Sequence, residues 1–401
     1  MILSPFPSVR RVLAAAAAVL PLALAALPSA AQVRVLVNPG DQGEQSRHAG
    51  YEMWRGLLDQ ALRREKASGV AFAMSTNATE DLGATRSRIP DVVVGPAHVI
   101  GSAVRYGYTP VLGLEKALQA VLVAQADQPI DSLAKAAGKK LGLPQQDSVV
   151  TYLVRGELNA ANTTFKRHFA SVYQTGYQEA LLVCLQVRRC DVVAVERAVY
   201  ERWVAAGHKL RVVLASRSVP GLSVAIKPGS KPGAEALRAA LAESAPAAAP
   251  RAEDTRMGAR TAQDFEYVST LGYFTPRELP GATVVDAAAV VAGMQRGARY
   301  IDTRNAAEFK EGHVPGAVLV PYVEKSAKEP DFNPAEDQFD VARLGADRQA
   351  PLIFGCNGPE CWKSFKASQA AVKAGYTQVR WFRGGFPEWR AAGLKTDTLA
   401  P

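Results

Sequence analysis

The sequence predicts an α/β protein of two folding units behind a removable leader. Three observations carry that expectation. An apolar N-terminal run is closed by small residues, a long stretch alternates branched-apolar strands with amphipathic helices, and a second, shorter series of the same alternation follows Pro280. Length agrees, because the part of the 401 residues left after the leader, about 370, is too long for one hydrophobic core.

The leader comes first in chain order. Arg10 and Arg11 supply a basic start, Val12 to Leu27 is almost wholly Ala, Val and Leu broken by Pro21, and Ser29-Ala30-Ala31 offers the small residues a signal peptidase needs. The expectation is a signal peptide over 1–31, cleavage after Ala31 and a periplasmic protein. The apolar run is short for a hydrocarbon core of roughly 30 Å, so no stable membrane insertion is expected after cleavage.

Val33 to Val37 alternates branched residues and reads as an opening strand. Trp54, Leu57, Leu58, Ala61 and Leu62 recur at helical spacing and predict a helix over 51–64 packed upon it. Asp91 to Pro96 is a buried strand ending in a Gly-Pro turn, and the ends of such strands are where open α/β sheets place ligands. Leu118 to Ala124 and Ser223 to Ile226 read as a matched pair of strands that leave one lobe and return to it. Pro232 to Leu241 predicts a helix, Pro246 to Arg251 a flexible loop, and the aromatic-rich segment 258–274 is too apolar for a solvated linker. The boundary between units falls near Pro280, giving 32–280 and 281–401.

Composition narrows the function. The chain has 47 Lys and Arg against 38 Asp and Glu, a net charge of +9, and the excess is spread through Ala-rich sequence rather than gathered on one element. That excludes a concentrated nucleic-acid surface and suits a small anionic ligand. The four cysteines form two close pairs, Cys184 with Cys190 and Cys356 with Cys361. In an exported chain each pair is a candidate disulfide. The five His residues are not at ligand spacing, so neither a metal nor a cofactor is expected.

The C-terminal unit carries the densest motif. Tyr300-Ile301-Asp302-Thr303-Arg304 is a strand entering a polar turn, followed by Glu308, Gly312-His313 and Pro315-Gly316-Ala317. Leu352 to Gly355 is a short apolar strand with Cys356 at its end, and Ser364 to Ala374 is an amphipathic helix. With the closing run Arg383-Gly384-Gly385-Phe386-Pro387-Glu388-Trp389, this whole unit resembles the rhodanese family, which implies an α/β domain with a central parallel sheet and sulfur carried on Cys356. A cysteine between a strand end and a helix start is placed to be a thiolate, the form that attacks a sulfane sulfur. Asp302, Arg304, Lys363 and Ser364 are the family's accompanying positions. Six residues separate Cys356 from Lys363 where the family usually has four, Lys replaces the common Arg, and Cys361 lies inside the loop. Two readings of the pair stand: a nucleophile with a resolving thiol, or an inert structural disulfide.

The first unit resembles the phosphonate, phosphate and sulfonate type of periplasmic substrate-binding protein through the stretches around 91–111, 133–158 and 175–203. The resemblance implies two lobes of type II-like architecture around an oxyanion or small amine. Its candidate contacts are Gly95, Pro96 and Ala97 in the first-lobe turn, Ser148, Val149, Thr151 and Tyr152 at a helix start, Tyr177, and Glu196 near the hinge. The function expected from both units together is an exported sulfurtransferase or persulfide relay with a module for a small oxyanion or sulfur compound and a periplasmic redox or sulfur-acceptor partner. The other reading is a non-catalytic solute-binding or sensor protein of an ABC-type system.

Overall fold

The computed structural model describes residues 32–41, 43–67, 69–244 and 256–399, so the leader, with its cleavage site, and the loop 246–251 lie outside the described residues. The described residues form three sheets. Lobe 1 opens with β1 (Val33–Val37), α1 (Glu44–Arg64), β2 (Val70–Met74), α2 (Ala78–Arg86), β3 (Val92–Gly95), α3 (Ala97–Arg105) and β4 (Thr109–Leu114). The helix expected from residue 51 starts earlier, at Glu44, because its first two turns are mostly polar and partly exposed and carry no apolar period. Its apolar face, Trp54, Leu58 and Leu62, is fully buried in the same cluster as Val33, Val35 and Val37.

The chain then crosses to lobe 2, which comprises β5 (Ala120–Gln125), β6 (Lys140–Pro144), α4 (Val149–Ala160), β7 (Ser171–Thr175), α5 (Gln178–Gln186), β8 (Val192–Glu196), α6 (Arg197–Ala205) and β9 (Leu210–Ala215). It returns through β10 (Ser223–Ile226), α7 (Ala234–Ser244) and β11 (Met257–Ala259) to finish the lobe 1 sheet, whose order is β11-β4-β10-β3-β1-β2. The lobe 2 sheet has the order β7-β6-β8-β5-β9. The two expected crossing strands therefore sit in different sheets. What joins the outgoing and returning chains is an antiparallel bridge between Leu118 and Val219, paired in both directions at 2.8 and 2.9 Å.

The C-terminal domain contains β12 (Ala282–Val284), α8 (Ala287–Gln295), β13 (Arg299–Asp302), β14 (Val318–Leu319), β15 (Leu352–Gly355), α9 (Trp362–Lys373), β16 (Val379–Phe382) and α10 (Gly385–Ala391). Its sheet is parallel throughout, in the order β12-β16-β15-β13-β14. Every residue of β15 is buried, as expected of a strand covered on both faces. Its last residue, Gly355, is in register with Asp302 and Phe382, so Cys356 emerges at the carboxyl end of the central strand. Within the unit formed beyond residue 31, the C-terminal domain is docked against both lobes, through Arg34 and Arg86 of lobe 1 and Asp147 of lobe 2. Among the described residues no helix is long and apolar enough to cross a membrane.

Candidate functional site

Two sites share one wall. The first is a cavity of about 290 Å³ between the lobes, lined by Asp41, Arg47, Thr79, His98, Asp147 and Ser148 among others. Asn77 caps α2 by accepting from the amides of Thr79 and Glu80, which presents Thr79 to the cavity. Ser148 caps α4, its hydroxyl accepting from Val150 N–H at 3.1 Å, and the N-terminal end of that twelve-residue helix opens on the cleft. The Asp41 carboxylate accepts from Gln178 Nε2 at 2.7 Å, while its second oxygen, Oδ2, is buried with no hydrogen-bond partner among the described residues. Burial raises this carboxyl above the usual range, and it likewise pushes Asp81, bonded to Asn38, up to about 6.

His98 is held neutral by burial, its pKa lowered to about 4. Its Nε2 lies 2.7 Å from the Asp147 carbonyl, and because a carbonyl only accepts, Nε2 carries the proton. That leaves Nδ1 as a buried acceptor without a partner among the described residues. A second cavity of about 390 Å³ adjoins the first on the hinge side, shares Gly40, Pro96 and Val149 with it, and is lined also by Glu196 and Arg197.

Of the sequence-derived ligand contacts, Pro96, Ser148, Val149 and Tyr177 line the first cavity, and Pro96, Val149 and Glu196 the second. Gly95, Ala97, Thr151 and Tyr152 line neither. Thr151 points back into its own chain, donating to the carbonyls of Pro144 and Gln145. Tyr152 packs between His98 and Tyr273, at ring distances of 4.7 and 5.2 Å. Sequence reasoning passed over Asp41, Arg47 and Thr79, which stand in no local pattern. Asp147 was legible only as the neighbour of a capping serine.

The second site is the loop after β15. Cys356 and Cys361 are bonded to each other, as are Cys184 and Cys190. Cys356 is 1% exposed, and its carbonyl accepts from Phe386 N–H at 2.8 Å. The helix start expected to favour a Cys356 thiolate belongs instead to Cys361. The longer loop puts Cys361 at the N-cap of α9, with its own N–H bonded to Gly358 at 3.0 Å. Lobe 1 covers this loop. Asn357 donates to Glu308 at 2.6 Å and accepts from Ser87 Oγ at 3.0 Å, and the Glu360 carboxylate lies 3.6 Å from the Arg86 guanidinium. Trp362 Nε1 donates to the Tyr273 carbonyl at 2.7 Å.

Between α2 and the loop remains a cavity of only about 60 Å³, lined by Thr79, Arg86, Lys328, Cys361 and Lys363 among others. Asp302, Arg304 and Ser364 turn their polar groups elsewhere. Arg304 is fully buried, donates to Asp302 and to the Gly312 carbonyl, and lies 4.3 Å over Phe386. Ser364 Oγ accepts from Trp381 Nε1 at 3.1 Å. These three hold the domain together around the loop, whereas Lys363 remains beside Cys361.

Comparison with known proteins assigns both parts. The family described as ABC transporter, phosphonate, periplasmic substrate-binding protein matches residues 41–266, and the rhodanese-like domain matches residues 286–392. Over 100 residues the chain is 34% identical to the chloroplastic thiosulfate sulfurtransferase 16 of Arabidopsis thaliana, a match covering 25% of this chain and 80% of that protein. The mitochondrial protein HIGH ARSENIC CONTENT 1 of the same plant is 27% identical over 122 residues, or 30% of this chain and 70% of that one. Among solved structures, a binding protein component of an ABC phosphonate transporter from Pseudomonas aeruginosa is similar with a TM-score of 0.47 and 16% identity, over 60% of this chain and 85% of that one. A Prochlorococcus marinus protein in complex with methylphosphonate gives a TM-score of 0.47 and 12% identity, over 60% and 97% of the two chains.

Proposed function

The chain belongs to the phosphonate type of periplasmic substrate-binding proteins of ABC transporters and carries a rhodanese-like domain at its C-terminal end, and from that premise we propose that it is an exported protein that holds a small oxyanion-bearing solute and handles sulfur on Cys356. The observation that carries the sulfur part is the placement of both sulfur atoms in one loop, Cys356 at the end of the central strand and Cys361 at the start of α9.

In the reduced protein the Cys356 thiolate attacks the outer sulfur of a sulfane donor such as thiosulfate. A sulfur–sulfur bond forms on Cys356 and sulfite leaves. The Cys361 thiolate, favoured by the positive end of α9, then attacks the Cys356 sulfur, forms the disulfide and expels hydrosulfide. The sulfane sulfur is reduced to sulfide, the two thiols are oxidised, and an external dithiol restores them. On this reading the Cys356–Cys361 disulfide is the form that sulfide release would leave. Lys363 contributes a point charge for an anionic donor where an arginine would offer a fork.

The solute part rests on the cleft itself, with Ser148 and the α4 N-terminus on one side and Arg47 among its lining. Export rests on the leader pattern, and the family matched over 41–266 is a periplasmic one. The burial of Cys356 favours a second reading, a solute-binding protein whose rhodanese-like domain is inert.

Single-turnover sulfur loading separates the two. Reduced full-length protein is mixed with thiosulfate and its intact mass is read. The parent and Cys361→Ser gain one sulfur atom, Cys356→Ser gains none, and Cys361→Ser retains its persulfide longer than the parent. Equal loading of Cys356→Ser and the parent rules out Cys356 as the carrier, and no loading of any form leaves the inert reading.

A further inference from the structure

Three bodies meet at Asp147. It belongs to lobe 2, immediately before the cap of α4, lines the solute cavity and is almost wholly buried. From lobe 1, the Thr79 hydroxyl donates to its carboxylate and His98 Nε2 to its carbonyl, so the two lobes are shut on each other at this residue. From the C-terminal domain, Lys328 Nζ reaches both carboxylate oxygens, at 2.8 and 2.6 Å, with only 8% of its side chain exposed. Burial alone would raise the Asp147 carboxyl, but the charge and hydrogen bonds of Lys328, together with the Thr79 hydroxyl, hold the group below the usual carboxylate range.

Lys328 is not on a loose arm. Its segment is fastened at both ends. Asp337 accepts from the amides of Lys325 and Ser326 at 2.6 and 2.7 Å, and the fully buried Lys366 of α9 reaches Ser326 Oγ and Glu324 at 2.8 Å each. The neighbouring residues Glu329 and Asp331 pair with Lys166 of lobe 2 at the surface. Charge counting gives the consequence. Among the described residues, the cavity is lined by Arg47, by Asp41, whose carboxyl burial raises, and by Asp147, whose charge Lys328 balances from the C-terminal domain. Without Lys328, an unpaired carboxylate stands beside the α4 N-terminus and opposes any oxyanion placed there.

We propose that Lys328, although carried by the rhodanese-like domain, is a specificity-determining residue of the solute cleft: it compensates Asp147 and latches the lobes in the closed arrangement, so that the cleft admits an oxyanion only with the C-terminal domain docked. The ligand class rests on the oxyanion reading above; the latch does not.

The test uses the full chain and two readouts. Hydrogen–deuterium exchange without solute compares the parent with Lys328→Met, Lys328→Arg and, as a control for the exposed pair, Lys166→Ala. Exchange in the cleft-facing segments of both lobes, 77–86 and 145–155, is expected to become severalfold faster in Lys328→Met and to be restored in Lys328→Arg, with Lys166→Ala close to the parent. Should Lys328→Met fail to fold, Asp147→Asn removes the same pair from the other side and is read the same way. Faster exchange confined to 322–332, or no change, overturns the latch. Calorimetry with inorganic phosphate and methylphosphonate is the second readout, with binding severalfold weaker in Lys328→Met. Equal binding by the parent and Lys328→Met overturns Lys328 as a cleft residue. If exchange responds as expected but the parent binds neither probe, the oxyanion reading falls and the latch stands.

Discussion

His98 shows how far one buried side chain is set by what packs around it. It lies against Tyr152, bonds through Nε2 to the Asp147 carbonyl, and is nearly inaccessible to water. Burial lowers its pKa from 6.5 to about 4. Between those values the unfolded chain binds the proton and the folded one does not, so the stability tied to neutral His98 is complete above about pH 6.5 and is lost as pH falls towards 4. At about 1.4 kcal/mol per unit, the full loss is about 3 kcal/mol. Asp81 works the other way in the same window. Its carboxyl, raised to about 6 by burial, takes up a proton first in the folded state, so its contribution falls as pH rises from about 4 to 6. The two are separated by a variant: His98→Gln retains a donor near the Nε2 position and does not titrate. Urea unfolding at pH 7 and pH 4.5 is expected to show the parent losing more stability on acidification than His98→Gln, by about 1–3 kcal/mol. Equal losses would mean that His98 is not kept neutral by the fold.

At the scale of elements, α2 has two employments. Its N-terminal end offers Thr79 to the solute cavity, and its C-terminal end, with Ser87, lies on the cysteine loop. Gly83, midway, lets the helix sit against Glu308, because a Cβ there would stand 2.7 Å from Glu308 Oε1. That carboxylate holds Asn357, the residue after Cys356, at 2.6 Å. Gly83→Val is therefore expected to displace Glu308, loosen Asn357 and expose the disulfide. Reduction of Cys356–Cys361 by dithiothreitol, followed by alkylation and peptide mass, should become severalfold faster while Cys184–Cys190 reduces at the parent rate; equal acceleration of both bonds would point to general unfolding instead. The sequence pattern reached these elements unevenly. The runs at 92–95 and 352–355 declare themselves because a doubly covered strand is continuously apolar, and 33–37 declares itself by its alternation of buried valines with half-buried residues. The sequence pattern puts the start of α9 at Ser364, two residues late, because the longer loop has no capping Ser, Thr, Asp or Asn at its end and Cys361 takes that position. This shift moves the helix-end field from Cys356 to Cys361, a reassignment that spacing alone does not disclose.

At the scale of the whole molecule, the docking of the rhodanese-like domain was invisible in the sequence, because it is made by residues far apart in the chain and no motif pairs one with another. Arg34 with Glu311, Arg86 with Glu360 and Lys328 with Asp147 are each more than 170 positions apart. They differ in weight. Arg34 and Glu311 are both about a third exposed, and such pairs are worth about 1 kcal/mol or less. Arg86 and Glu360 are both nearly buried, and losing one partner of a buried pair costs about 3–5 kcal/mol, mostly for the charge left behind. Arg86 also donates to the Glu360 carbonyl at 3.3 Å, and its own carbonyl accepts from Arg390 at 2.6 Å, so this corner is bonded from both sides. If the docking couples the domains, the parent unfolds in one calorimetric transition. Arg86→Met preserves the apolar stem but strands Glu360 at the interface. The C-terminal domain should then undock and melt on its own, giving two resolved transitions, while Arg64→Ala, which breaks the exposed pair with Glu243, leaves the parent profile. A single transition at an unchanged midpoint would mean that the pair does not hold the domains together. A single transition at a lower temperature would place the loss inside lobe 1. Two transitions, with the Cys356–Cys361 bond then becoming readily reducible, are the outcome expected if lobe 1 is what covers the cysteine loop.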